Sequence, residues 1–484
     1  MSASLVFGAE TIAPAEVEQR AARAAGALDA AGVGDGDVVS ILLRNEPAYL
    51  DVMLACRLLG AYHCPINWHF KADEAGYLMR DSGAKVLVSR PDLLEQIAGA
   101  VPPGVKVVSD AARWRDEHAP RRGTPRQPRG NLPYTSGTTG RPKGVLRNVA
   151  TEAERARTAE VYRVALGLEP GMRCLLSAPL YHSAPNMYAT QAMLNGERLV
   201  LEPRFDAERT LALVEQHRLT NLYLVPTMFV RLLALSEATR RRYDLSSVRF
   251  VVSMGSPCPP EAKRRMIDWW GPVITESYAS SECGVNTFIT SAEWLERPGS
   301  AGKVLGAGAL KILDDEGREV APGTIGAIYV RQPAYPDFTY INNAAARTRL
   351  ERDGLWSVGD MGYLDAEGYL YVADRKSDMV ISGGVNIYPA EIEAMLIGMP
   401  GVADCAVFGI PDAEFGEALA AAVQLSERHE LTEEAVRTYL RERISNYKVP
   451  KVVTFHETLP REDSGKIFKR RLKEPYWKDA GRKI

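Results

Sequence analysis

The sequence predicts an α/β protein: a large N-terminal domain of α/β subdomains, then a β-barrel-like part, then a small C-terminal α+β domain. Three observations carry this. Apolar runs such as Val38 to Leu42 and Val86 to Val88 alternate with Ala/Leu-rich stretches such as Ala15 to Leu28, the rhythm of strands and covering helices. After Gly299 the text changes to short β segments joined by DDEG (Asp314 to Gly317) and DAEG (Asp365 to Gly368), which suit hairpin turns with glycine at positive φ. The final segment holds a strand pair (Ala403 to Phe408, Ala418 to Leu425), a helix starting near Thr432 and a basic tail.

Taken in order, the first 115 residues read as one α/β unit, and the Pro/Arg/Gly text PRRGTPRQPRG, ending at Gly130, reads as an exposed connection. A glycine-rich loop follows. From Pro179 to Val273 strands (Leu222 to Val225, Phe250 to Val252) alternate with helices, one opening at Pro259, Pro260 and Glu261, where a helix accepts proline in its first turn. No internal repeat is visible.

Composition excludes several classes. The 484 residues are 46% hydrophobic and 25% charged, an ordinary globular balance. Lys and Arg number 59 against 61 for Asp and Glu, so no broad positive field exists to hold nucleic acid or anionic lipid. No apolar run reaches the roughly 18 residues of a membrane span, and MSASLVFGAE lacks the pattern of a secretory signal. A cytoplasmic protein is expected. Six cysteines without a CxxC pair read as reduced, structural thiols. His63, Cys64 and His69 lack a fourth metal ligand nearby and read as structural.

The strongest chemical signal is YTSGTTGRPKG, Tyr134 to Gly144. Thr135, Ser136, Gly137, Thr138, Thr139 and Gly140 offer hydroxyls and unhindered N–H groups to phosphate oxygens, and Lys143 adds charge. A polyphosphate is the natural guest. The spacing is not GxxxxGK[ST], which excludes the kinase and GTPase type of loop. Glu282 closes TESYASSE after a strand. A carboxylate beside a phosphate loop needs a divalent cation between them, so Glu282 is a candidate Mg2+ ligand.

With these residues in view, the chain resembles the adenylate-forming superfamily of acyl-CoA synthetases, aryl-CoA ligases, luciferases and peptide-synthetase adenylation domains, over nearly its whole length. YTSGTTGRPKG is similar to that family's phosphate loop, PLYHSAP (Pro179 to Pro185) to its acyl-pocket motif and SMGSPCPP (Ser253 to Pro260) to its adenine-side loop. YASSE (Tyr278 to Glu282) resembles the Tyr-Gly-x-Thr-Glu element and WSVGD (Trp356 to Asp360) the ribose element. Ala373 to Glu393 resembles the hinge and CoA-side segment, and LPREDSGKIFKR (Leu459 to Arg470) the catalytic-lysine segment.

The resemblance implies an N-terminal domain over 1–374, a hinge at 375–377, and a mobile C-terminal lid over 378–484. It implies that Asp360 takes the ribose hydroxyls with Arg375 beside it, that Ser281 holds the α-phosphate, and that Gly255, Ser256 and Pro257 flank the adenine near Tyr278 and Ala279. It makes Lys466 the cation placed between attacking carboxylate and α-phosphate, where charge is offset most strongly in the transition state. Lys469, Arg470, Arg471 and Lys473 read as a solvated face, with a contact from one of them to the CoA phosphates left open. His182 is expected to orient the acid, and Ser382, Gly383 and Gly384 to give pantetheine a side-chain-poor strip.

The implied activity is a two-step ligation: ATP and a carboxylic acid give an acyl-adenylate with Mg2+, then the CoA thiol displaces AMP. YHSAPNMY offers no carboxylate for an ammonium group, so a non-amino acid is expected, bulky aromatic, alicyclic or fatty. Ser183, Ala184, Met187, Tyr188, Tyr223 and Met254 are expected to line its pocket, and the text looks closest to bile-acid and feruloyl-type CoA ligases. CoA is favoured because 18 residues after Lys466 leave no space for a fused carrier domain. A luciferase-like oxygenase, a carrier-protein acyl loader and a non-catalytic acyl-adenylate or nucleotide binder stay open, as does a homodimer. Ala279 stands where the family has glycine, and Ser377 where its hinge has Asp or Lys.

Overall fold

The computed structural model describes residues 2–135, 141–383, 385–426, 429–461 and 467–478. A seven-stranded sheet takes, in spatial order, Ile274–Glu276, Phe250–Ser253, Asn221–Leu224, Arg173–Leu176, Arg198–Leu201, Ser4–Phe7 and Glu10–Ile12. All neighbours are parallel except the last pair. A second sheet of Tyr62–Pro65, Val38–Ile41, Val86–Val88 and Lys106–Val108 is parallel throughout. Val38–Ile41 and Val86–Val88 are buried along their whole length, as strands covered on both faces must be.

The sequence predicts one unit over the first 115 residues, and the structure divides them. Ser4–Phe7 leaves its neighbours in sequence and pairs with Arg198–Leu201. Its adjacent residues Leu5 and Val6 point to opposite faces and are both buried, which requires a sheet covered on both sides.

The β-rich part is a six-stranded sheet packed around Ile312, Ile328, Val330, Trp356 and Leu370. Its hairpin from Asp360–Leu364 to Leu370–Arg375 turns at Gly368, φ +84°. Beyond it, Val402–Asp412 and Gly416–Leu425 pair antiparallel, and Val452–His456 adds a parallel strand. The helix Glu433–Arg441 is capped by Thr432, whose hydroxyl accepts from Ala435 N at 3.1 Å. Val380, Ile392, Leu396, Val407, Leu440 and Val453 form a core of their own. Between the two bodies the chain turns at Arg375, whose carbonyl accepts from Asp378 N and Met379 N. No described helix is long and apolar enough to cross a membrane.

Candidate active site

A cleft of about 2400 Å³ lies between the large part and the C-terminal residues. Its floor is the carboxyl edge of the seven-stranded sheet: the segments leaving Arg173–Leu176, Asn221–Leu224, Phe250–Ser253 and Ile274–Glu276 all line it. Open parallel sheets bind ligands at this edge, because loops diverge there and leave space above the strand ends.

Along one side, Glu282 is buried, and its Oε1 accepts from Thr135 Oγ1 at 2.9 Å and from the Tyr340 hydroxyl at 3.0 Å. Oε2 takes no part in either bond. Arg147 fixes the backbone here by donating to the carbonyls of Ser281 and Glu282, 2.8 Å each. Lys143 opens the strand Lys143–Arg147, its ammonium 5.4 Å from the centre of the Tyr340 ring. Residues 136–140 lie outside the described residues.

Further along, Asp360 is buried at the start of its strand. Its Oδ2 accepts from the Tyr278 hydroxyl at 2.6 Å, and its Oδ1 stands 3.4 Å from Arg375 Nε. Strand register makes the second contact, because Asp360 and Arg375 are cross-strand partners. Burial, then the charge of Asp360, holds the Tyr278 phenol well above its usual range, so it remains a donor. Gly255 (φ +103°), Ser256, Pro257, Ala279 and Ser281 also line the cleft. A Cβ at Gly255 would meet open space, so its backbone angle is what calls for glycine.

The opposite side is headed by His182, which precedes the helix Ser183–Asn195 and stacks at a tilt on Tyr181, 4.4 Å between centres. A buried network fixes the segment entering that helix. Leu180 N donates to Asn45 Oδ1 (2.9 Å), and Leu180 O accepts from the Tyr49 hydroxyl and Asn186 Nδ2, 3.0 Å each. Asn186 Nδ2 also donates to the Tyr49 oxygen, so Asn186 Oδ1 is left to accept from His63 Nε2 at 2.9 Å. Burial pushes the His63 pKa down to about 4, and the ring stays neutral with its proton on Nε2.

Ser183, Ala184, Met187, Tyr223 and Met254 line this side as expected. Tyr188 does not. It is fully buried on the core face of its helix, 5.6 Å from the Tyr223 ring. One residue along a helix turns the side chain by about 100°, so Met187 and Tyr188 cannot share a wall.

The C-terminal residues close the cleft with the helix Pro389–Ile397 and with 467–470. Lys469 corrects the reading of a solvated face. Its ammonium pairs with part-buried Glu393 at 2.8 Å. Burial alone would lower its pKa, but Glu393, Asp374 and Asp378 together raise it. Ser382 ends the strand Val380–Ser382 and Gly383 follows in the turn, both outside the cleft lining, with Gly383 N donating to Phe415 O at 2.9 Å. Gly384 and Lys466 lie outside the described residues.

Sequence reasoning missed Tyr340, Arg147 and the ion pair of Lys263 with Glu276 (2.7 Å), which is buried beneath the Met254–Pro260 loop. A fully buried lysine at the first turns of a helix carries no signal in a single sequence. Tyr340 reaches Glu282 through the pairing of Phe338–Tyr340 with Lys143–Arg147, a contact no local pattern announces.

The family model described as "AMP-binding enzyme" matches residues 2–335, and "AMP-binding enzyme C-terminal domain" matches 391–466. A feruloyl-CoA synthase of an Amycolatopsis species is 36% identical over 466 residues, covering 96% of this chain and 93% of the relative. The o-succinylbenzoate CoA synthetase MenE of Bacillus subtilis, solved with ATP and magnesium ion, is 30% identical with TM-score 0.84, covering 97% and 96% of the two chains. MatB of Rhodopseudomonas palustris, 28% identical and covering 99% and 97%, scores 0.87 in its ATP-bound form and 0.75 in its apo form.

Proposed function

Since the chain belongs to the AMP-binding enzyme family, we propose that it is an ATP-dependent, AMP-forming acyl-CoA synthetase acting on a non-amino carboxylic acid. The observation that carries this reading is the single cleft that joins a buried Glu282 and an Asp360–Tyr278 pair on one side to the His182-headed pocket on the other. The feruloyl-CoA synthase relative supports an aromatic or similarly bulky acid.

In the first step a carboxylate oxygen bonds to the α-phosphorus of ATP and the bond to pyrophosphate breaks. Asp360 takes the ribose hydroxyls. A carboxylate has about four acceptor sites, and Tyr278 and Arg375 leave room for a diol. Gly255, Ser256 and Pro257 flank the adenine, Ser281 and the 135–140 loop with Lys143 receive the phosphates, and His182 orients the acid. Two hydroxyls gather on one Glu282 oxygen, an all-oxygen donor set that fits Mg2+. When bound, Mg2+ supplies charge compensation for the triphosphate, and Glu282 would hold it. Lys466 offsets the charge between the two reacting anions.

In the second step the CoA sulfur attacks the acyl carbon and AMP leaves. We place a hinge at 375–377, about which the C-terminal lid over 378–484 turns so that the Ser382–Gly384 strip replaces residues 467–470 over the cleft. Two facts support this. The cleft is lined by 467–470 and not by Ser382 or Gly383, and the overall shape scores higher against ATP-bound than against apo MatB. The six cysteines are buried and unpaired, which suits the reducing cytoplasm.

The test is pyrophosphate release from ATP over a panel of aryl, alicyclic and straight-chain acids, followed by thioester formation on adding CoA. Pyrophosphate without thioester would overturn CoA as the acceptor. Release with no acid, or oxygen uptake in step with AMP release, would overturn the synthetase reading.

A further inference from the structure

One wall of the cleft is built by three helices, Pro47–Leu59, Glu152–Leu166 and Ser183–Asn195. It contributes two arginines, Arg57 and Arg155, and no carboxylate. Several arginines elsewhere meet acids: Arg20 and Arg115 share Asp51, Arg129 pairs with Asp35 and Arg375 with Asp360, while Arg147 is held by backbone carbonyls. Among the described residues the Arg57 guanidinium has no such partner, and Arg155 donates to the carbonyl of Ala150 at 2.5 Å. Burial, and then the charge of Arg155, press the Arg57 pKa down. Like charges held together at a partly dry wall are a cost that a bound anion would offset.

The helices also set the reach. Asn186 Nδ2 donates to the Tyr49 oxygen at 3.2 Å, and Thr190 Oγ1 stands 3.3 Å from Met53 Sδ. Both contacts advance by four residues, so the Pro47–Leu59 and Ser183–Asn195 helices run side by side in one direction, and Arg57 occupies the next turn. Its side chain leans back toward the helix N-terminus, toward the level of Thr190. Thr190 lies roughly 12 Å along the axis from His182. Met187 and Ala184 line the stretch between.

We propose that Arg57 and Arg155 form a receptor for a second anionic group on the acid, so that the enzyme selects carboxylic acids bearing a carboxylate or sulfonate roughly 10 Å from the reacting carboxyl. This rests on the synthetase reading above and names its substrate class. A purely apolar tail would bury the Arg57 guanidinium against hydrocarbon with no acid among the described residues to meet it, which is unfavourable.

The experiment uses the full-length protein and matched acids: 4-carboxycinnamate against 4-methylcinnamate, and decanedioate against decanoate. Pyrophosphate release gives kcat/KM for each. The expected result is a preference of at least about tenfold for the anionic member of one pair, falling at least about tenfold in Arg57→Gln and Arg155→Gln and partly restored in Arg57→Lys. A wild-type ratio near or below one in both pairs would overturn the proposal without any variant. So would a preference that survives both glutamine substitutions, or a rise in KM for CoA in place of the diacid, which would assign the arginines to the thiol substrate. Failure of every acid to release pyrophosphate would instead overturn the synthetase reading.

Discussion

Replacing Asp360 with alanine is the sharpest probe of the nucleotide side. The carboxylate is buried and already accepts one short bond from Tyr278, with Arg375 beside it. Two further bonds to the ribose hydroxyls, each charge-assisted and worth about 1.5–3 kcal/mol, amount to about 3–6 kcal/mol, or about 10²–10⁴-fold in ATP affinity. Asp360→Asn keeps one acceptor oxygen and loses the charge, so about half of that energy should go. The assay is pyrophosphate release with ATP varied at saturating acid, then with acid varied at saturating ATP. KM for ATP should rise by the stated factor while KM for the acid moves less than about threefold. A substrate-side cycle isolates the contact: wild type should discriminate against 2′-deoxy-ATP or 3′-deoxy-ATP, and Asp360→Ala should not. Unchanged ATP affinity, or an unchanged deoxy penalty in the variant, would refute the ribose role.

Lys466→Ala should cut adenylate formation by at least about 10²-fold while thioester formation from pre-made acyl-adenylate proceeds, and equal loss in single-turnover assays of both half-reactions would refute that division. His63 titrates near 6.5 when unfolded and about 4 when folded, because burial disfavours its cation. Between these values the unfolded chain binds the extra proton, so stability falls as pH falls through that window, by about 3 kcal/mol in full; His63→Gln should flatten the decline in melting temperature from about pH 7 to about pH 4. Met187→Phe should shift acid preference toward smaller acids by roughly tenfold, whereas Tyr188→Phe should leave that preference unchanged, and kcat/KM over the acid panel reads both.

Much of the site was legible before any coordinates. Gly255, Ser256 and Pro257 follow a strand as the text implied, and Glu282 and Asp360 both reach the cleft. Such motifs are readable because each is a short run leaving a strand end, where local backbone needs dictate glycine, proline and hydroxyl residues. The Lys469 reading failed for the complementary reason. A basic run looks solvated until a part-buried acid from another element, here Glu393, comes to meet it.

By itself the sequence determined the α/β rhythm, the hairpin turns and the order of the motif-bearing loops, since these depend on periodicity and on backbone preferences acting over a few residues. Tertiary structure alone decided that Ser4–Phe7 crosses to Arg198–Leu201, that Tyr340 clasps Glu282 from 58 residues away and that Tyr278 reaches Asp360 across 82. It also decided that Arg57 and Arg155 share a wall to which its three helices bring no carboxylate. Strand register and helix rotation fix such contacts, and both are settled by the burial of whole faces at once, which no single stretch of chain encodes.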